Sequence, residues 1–189
     1  MTEPKRRAVF LDRDGTIVRD VGYLKRTEDV CLLPGAPEAL KLLREAGFLL
    51  LVVTNQSAVA RGWLTEPALL EMQREVERRL EAEGAALDGF YYCPHLPGGT
   101  VEQYARKCDC RKPEPGMLLR AARDRNVDLE RSYVVGDSER DVEAGERAGC
   151  STILIGGGTS PRANLRARDL REAADLILQR EGNSAARPR

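Results

Sequence analysis

Two carboxylates one residue apart, Asp12 and Asp14, end the apolar run Ala8-Val9-Phe10-Leu11 and lead into Gly15-Thr16. A short apolar run that stops on turn residues reads as a buried strand, so both acids arrive at the rim of a sheet. There a glycine lets the backbone bend away and leaves the side chains facing a ligand. Paired carboxylates repel one another. A hard divalent cation such as Mg²⁺ supplies the compensating charge and keeps room for waters and phosphate oxygens. On this segment alone, an Asp-Gly turn in solvent fits the same residues. Three further groups at predicted strand ends or in the loops beyond them tilt the reading: Thr54-Asn55-Gln56-Ser57, Arg111-Lys112-Pro113 and Gly136-Asp137-Ser138-Glu139-Arg140-Asp141. Singly, Thr54 caps a turn, Lys112 is solvated and Asp137 is a helix N-cap. Together they bring acids, a hydroxyl and a lysine to the edge where open parallel sheets bind ligands.

A second group has metal-ligand spacing. Cys93-Pro94-His95 and Cys108-Asp109-Cys110 supply three sulfurs and the chain's one imidazole. Those donors suit a tetrahedral Zn²⁺, and four protein ligands leave no open position for a substrate, so the site is expected to be structural. The competing reading is a set of unrelated buried thiols. Cys31 and Cys150 fall outside the cluster and read as buried thiols. Cys110 directly precedes Arg111 and Lys112, so a metal that fixes Cys110 also fixes the loop presenting both cations.

The elements that must position these groups alternate strand and helix. Apolar runs at 8–11, 48–53, 89–92, 133–135 and 152–155 read as five strands. Between them, Pro34-Gly35-Ala36-Pro37 opens a helix running to about residue 46, with Gly47 as its stop. Leu69, Met72, Val76 and Leu80 mark a helix over 66–83, and further helices are expected over 117–125, 138–148 and 170–180. Such alternation predicts an α/β fold, a Rossmann-like parallel sheet with helices on both faces. One domain over 1–181 and a disordered tail over 182–189 are expected. With 30 basic and 30 acidic residues the charge balances, so neither nucleic acid nor an anionic membrane is an expected partner. Only residues 8–11 form an apolar stretch before Arg13, too little for a signal-peptide core, and a cytoplasmic location follows as the expectation. Gly156-Gly157-Gly158 lacks the Lys-Ser/Thr ending of a nucleotide-binding loop and reads as a turn.

In this order the motifs resemble those of haloacid-dehalogenase-type phosphatases, over nearly the whole chain. The likeness makes Asp12 the nucleophile that forms an aspartyl-phosphate and Asp14 the general acid and then base. It makes Thr54 and Lys112 the groups that stabilise charge on the phosphoryl oxygens. It gives Mg²⁺ to Asp12, Asp137 and the backbone carbonyl of Asp14. The zinc cluster, Cys93, His95, Cys108 and Cys110, narrows the resemblance to the histidinol-phosphatase-like branch, and within it to the D-glycero-D-manno-heptose 1,7-bisphosphate 7-phosphatases of nucleotide-activated heptose and lipopolysaccharide synthesis. That family implies substrate contacts from Asp20-Val21-Gly22-Tyr23, from Asn55-Gln56-Ser57 and from Arg111, with Lys25, Arg26 and Arg61 as further cations for a second phosphate. Where those enzymes often carry Lys after the metal-binding Asp, this chain has Ser138. Histidinol-phosphate phosphatase is the alternative substrate reading, and a zinc-stabilised binding module without catalysis is the alternative of another class. Neither 16–34 nor 57–112 has room for a large cap domain, so the resemblance implies an open crevice, a small phosphorylated sugar as partner, and a monomer.

Overall fold

The apolar runs become the strands of one six-stranded sheet in the computed structural model, which describes residues 4–185. The strands β1 (Ala8–Leu11), β2 (Leu49–Asn55), β3 (Gly89–Cys93), β4 (Tyr133–Gly136), β5 (Ser151–Ile155) and β6 (Leu165–Ala167) lie in the order β3-β2-β1-β4-β5-β6. Every neighbouring pair is parallel. Parallel neighbours need crossover connections, and α1 (Ala36–Glu45), α2 (Glu66–Ala82), α3 (Gly116–Arg125), α4 (Glu139–Ala148) and α5 (Leu170–Ala185) are the helices among them. Alternate residues of each strand face opposite sides. Leu11, Val52 and Val135 pack with α1, α2 and α5, while Phe10, Val53 and Val134 pack with α3 and α4. Burial on both faces is why β1 and β2 read as unbroken apolar runs.

The chain builds outward from β1 to β3 on one side, then returns to add β4 to β6 on the other. The order therefore reverses between β1 and β4, and the carboxyl ends of these two strands form the crevice that receives ligands in such sheets. Asp12 and Asp137 are the residues that follow them.

Three elements differ from the sequence expectation by more than a residue. β2 extends through Thr54 and Asn55 because these pair with Tyr92 and Cys93 of β3. β6 is an added strand; its three residues, Leu165-Arg166-Ala167, are too few to show a period. Helix α5 continues to Ala185 rather than stopping at 180, and Glu181 in its last turns ion-pairs with Arg7 and accepts from the Tyr133 hydroxyl. The remainder of the expected tail, 186–189, lies outside the described residues. Cys31 is half-buried rather than buried. Among the described residues no helix is long and apolar enough to cross a membrane.

Candidate active site

Lys112 sits at the centre of the crevice floor, 3% exposed, with its ammonium satisfied on three sides. It contacts Asp12 Oδ1 at 3.0 Å and Asp141 Oδ1 at 2.5 Å and donates to the Val53 carbonyl at 2.7 Å. The strand end fixes its backbone too: Asn55 Nδ2 donates to the Lys112 carbonyl, and the Lys112 N–H donates to Asn55 Oδ1, both at 3.0 Å. Burial works against the ammonium, but Asp12 and Asp141 outweigh it and hold its pKa above the ordinary value. On Asp12 burial wins: it pushes the carboxyl up to about 7, with Lys112 opposing and Asp141 adding to the rise.

Asp137 completes an acidic cluster in which Asp12, Asp137 and Asp141 each offer an oxygen within 4.8 Å of the others. Burial, then Asp141, raises the Asp137 pKa. Two glycines make this crowding sterically feasible. Gly15 has φ +78°, and a Cβ there would stand 2.0 Å from Asp137 Oδ2; one on Gly136 would stand 2.3 Å from Asp141 Cγ. Fully ionised, the three carboxylates carry three negative charges against the single positive charge of Lys112. The difference of two, presented by hard oxygen donors, fits a divalent cation such as Mg²⁺.

Asp14 is held from two directions. Buried Arg13 donates through Nη2 to Asp14 Oδ2 at 2.9 Å and through Nε to Oδ1 at 3.2 Å. Gln56 Nε2 reaches the same Oδ2 at 2.9 Å and Thr54 Oγ1 at 3.0 Å. Thr54 and Gln56 are 1% and 6% exposed, so this network forms the inner wall of the site.

Above it opens a cleft of about 390 Å³. Its lining includes Asp12, Asp14, Asp20, Gly22, Tyr23, Thr54, Asn55, Gln56, Ser57, Arg111, Lys112 and Asp137, so the sequence-distant groups converge. Val21 is the exception: it is 47% exposed and not part of the lining. Of the further cations, Arg26 pairs with Glu28 and Asp29, while Lys25 and Arg61 lie against aromatic rings, and none of the three lines the cleft. Arg111 donates to the His95 carbonyl at 3.1 Å. Burial, together with the nearby Arg140 and Arg61 charges, lowers its pKa.

Ser138, Arg140 and Asp141 also line the cleft. Arg140 is exposed and has no ion pair among the described residues. Among Glu, Arg and Asp at the start of a helix it looks like part of a solvated face. Asp141 does two jobs: Oδ2 accepts from the Ser138 N–H and hydroxyl at the start of α4, while Oδ1 holds Lys112. In the sequence Asp141 stands with Asp137 in the acidic group after β4, and its spacing from Ser138 also marks a capping box.

Beside the cleft, the end of β3 and the loop before α3 bring Cys93, His95, Cys108 and Cys110 together. Sulfur separations are 3.1 to 3.5 Å, and His95 Nδ1 lies 3.3 Å from Cys110 Sγ and 3.6 Å from Cys93 Sγ. Tetrahedral zinc with bonds of about 2.3 Å spaces sulfurs about 3.8 Å apart, so this donor set fits that ion after a small expansion. Hydrogen bonds from Cys93 and His95 pull the Cys110 thiol down to about 5, whereas those around Cys93 and Cys108, with burial, push theirs up.

Comparison with known proteins accords with this geometry. A HAD-hydrolase-like family profile matches residues 109–180. The D-glycero-beta-D-manno-heptose-1,7-bisphosphate 7-phosphatase of Haemophilus ducreyi is 43% identical over 175 residues, 92% of this chain and 93% of that protein. The protein of the same name from Escherichia coli K12 is 44% identical over 174 residues, 90% of this chain and 87% of that protein. The solved D,D-heptose 1,7-bisphosphate phosphatase of B. bronchiseptica, complexed with magnesium and phosphate, superposes with a TM-score of 0.80 at 32% identity, covering 92% of this chain and 99% of its own. With one fold, one catalytic edge and such coverage, the chain belongs to the D-glycero-β-D-manno-heptose-1,7-bisphosphate 7-phosphatase family of haloacid-dehalogenase-like hydrolases.

Proposed function

We propose that this chain removes the 7-phosphate of D-glycero-β-D-manno-heptose 1,7-bisphosphate through an aspartyl-phosphate on Asp12. The observation that carries the reading is the convergence of Asp12, Asp14, Thr54, Lys112 and Asp137 in one cleft. An Asp12 carboxylate oxygen attacks phosphorus, and the phosphorus–oxygen bond to the sugar breaks as Asp14 hands its proton to the leaving oxygen. Asp14 then takes a proton from water, which attacks the acyl phosphate and releases inorganic phosphate and free Asp12. Thr54 and Lys112 face the phosphoryl oxygens, where fixed donors offset developing charge. Arg13 and Gln56 keep Asp14 oriented for both proton transfers.

Mg²⁺ would be held by the Asp12 and Asp137 carboxylates and the Asp14 carbonyl, with Asp141 close by, and would neutralise charge on these acids and the phosphate. Zn²⁺ would be held by Cys93, His95, Cys108 and Cys110 and would stiffen the loop bearing Arg111 and Lys112. Arg111, with Arg140, meets the phosphate that does not react. Family names favour the heptose substrate over histidinol phosphate, and the intact catalytic set disfavours a non-catalytic module.

Borohydride quenching of turning-over enzyme followed by peptide mass spectrometry tests the mechanism. Conversion of Asp12 to homoserine is expected, with Asp12→Asn folded and inactive. Wild-type turnover in Asp12→Asn would refute the nucleophile.

A further inference from the structure

Trp63, the only tryptophan in the chain, is 47% exposed although the fold has ample core. What surrounds it is specific. Tyr23 meets its ring edge-on, with centroids 4.7 Å apart and planes at 88°. The Arg61 guanidinium lies 5.1 Å from the Trp63 ring centroid and 6.0 Å from that of Tyr23, and the Lys25 ammonium lies 4.9 Å over Trp63. Four side chains from two loops therefore form one cluster, and Tyr23 carries it to the wall of the catalytic cleft.

The partners of Arg61 decide what such a cluster does. Among the described residues it has no ion pair, and its Nε is buried without a hydrogen-bond partner. A carboxylate would hold the guanidinium but cancel its charge and occupy its donors. An aromatic face holds it through the ring quadrupole and leaves both available to an incoming anion. Arg61 is also near enough to Arg111 to repel it, with the Cys93 and Cys108 sulfurs acting on Arg111 in the opposite sense.

We propose that Trp63 is a positioning residue, which braces Tyr23 against the cleft and holds Arg61 ready for an anionic group of the substrate remote from the reacting phosphorus. This rests on the reading that the substrate is a sugar bisphosphate. Trp63 touches neither the reacting atoms nor the metal-binding acids, so its influence falls on binding of the distal anion and on discrimination against substrates that lack one.

Steady-state kinetics of the full-length, zinc-replete enzyme with Mg²⁺ tests this, comparing wild type, Trp63→Ala and Trp63→Phe on heptose 1,7-bisphosphate and p-nitrophenyl phosphate. For Trp63→Ala, KM for the bisphosphate should rise about fivefold with kcat within about twofold, the scale of an exposed cation–π contact plus an aromatic pair. The ratio of kcat/KM for bisphosphate over p-nitrophenyl phosphate should fall by about the same factor, and Trp63→Phe should recover most of it. Because Trp63 is the sole tryptophan, its emission in Asp12→Asn should change on titration with the bisphosphate and much less with inorganic phosphate. An unchanged ratio in Trp63→Ala, or silent emission on saturation with bisphosphate, overturns the role of Trp63. Wild-type enzyme that hydrolyses p-nitrophenyl phosphate but not the bisphosphate overturns the functional reading instead.

Discussion

The raised pKa of Asp12 makes the stability of the Mg²⁺-free, zinc-replete protein depend on pH in a direction opposite to that of most carboxylates. Burial lifts this carboxyl from an ordinary 3.8 to about 7, so the folded chain holds the proton more tightly than the unfolded chain. The resulting stabilisation is complete below about pH 4, declines as pH rises and is gone above about 7. At about 1.4 kcal/mol per pH unit, and with the proton half lost at pH 7, the part lost between pH 5 and 7 is about 2 kcal/mol. For a chain of this size that corresponds to a fall in Tm of about 4–8 °C. Asp137, also raised by burial, acts in the same sense. Thermal melts from pH 5 to 8 in metal-scrubbed buffer without chelator, which would strip zinc, should show the fall in wild type and a much flatter profile in Asp12→Asn. Added Mg²⁺, which needs the ionised acid, should raise Tm more at pH 8 than at pH 5. Parallel Tm profiles for wild type and Asp12→Asn would refute the assignment of the proton to Asp12.

Three other perturbations follow from the same geometry. Gly15→Ala places a Cβ 2.0 Å from Asp137 Oδ2 at a φ of +78°; besides a strain of about 1–2 kcal/mol, it should weaken the Mg²⁺ dependence of activity about tenfold or more, read by Mg²⁺ titration. Cys110→Ala should lose the zinc, about one per chain by elemental analysis of wild type, and lower kcat/KM by loosening Arg111 and Lys112. Arg111→Ala should reduce kcat/KM about tenfold more for the bisphosphate than for p-nitrophenyl phosphate, and Arg140→Ala should do so more weakly because it is exposed.

How legible these features were depended on whether their cause was local. β1 and β2, buried on both faces, stand out as apolar runs, and a strand ending in Asp12-x-Asp14-Gly15 announces a sheet rim. The zinc cluster was legible because its ligands come in two close pairs. β6 was not, since three residues at a sheet edge owe their conformation to pairing with β5. The end of α5 was hidden for a similar reason: Glu181 is tied to Arg7, 174 residues away. Within the site, Asp141 was legible with Asp137 as part of the acidic group after β4, whereas its ion pair to Lys112 was not, and Arg140 was masked by its charged neighbours. Val21 was included with its loop, yet only Asp20, Gly22 and Tyr23 of that stretch reach the cleft. The Trp63 cluster joins two loops through contacts that no spacing encodes.

The central claim is most directly tested by measuring phosphate release from D-glycero-β-D-manno-heptose 1,7-bisphosphate and from histidinol phosphate at equal concentrations, with product position read by ³¹P NMR. The geometry and the family together predict fast loss of the 7-phosphate with the 1-phosphate retained, and slow hydrolysis of histidinol phosphate. Faster turnover of histidinol phosphate, or loss of the 1-phosphate first, would contradict it.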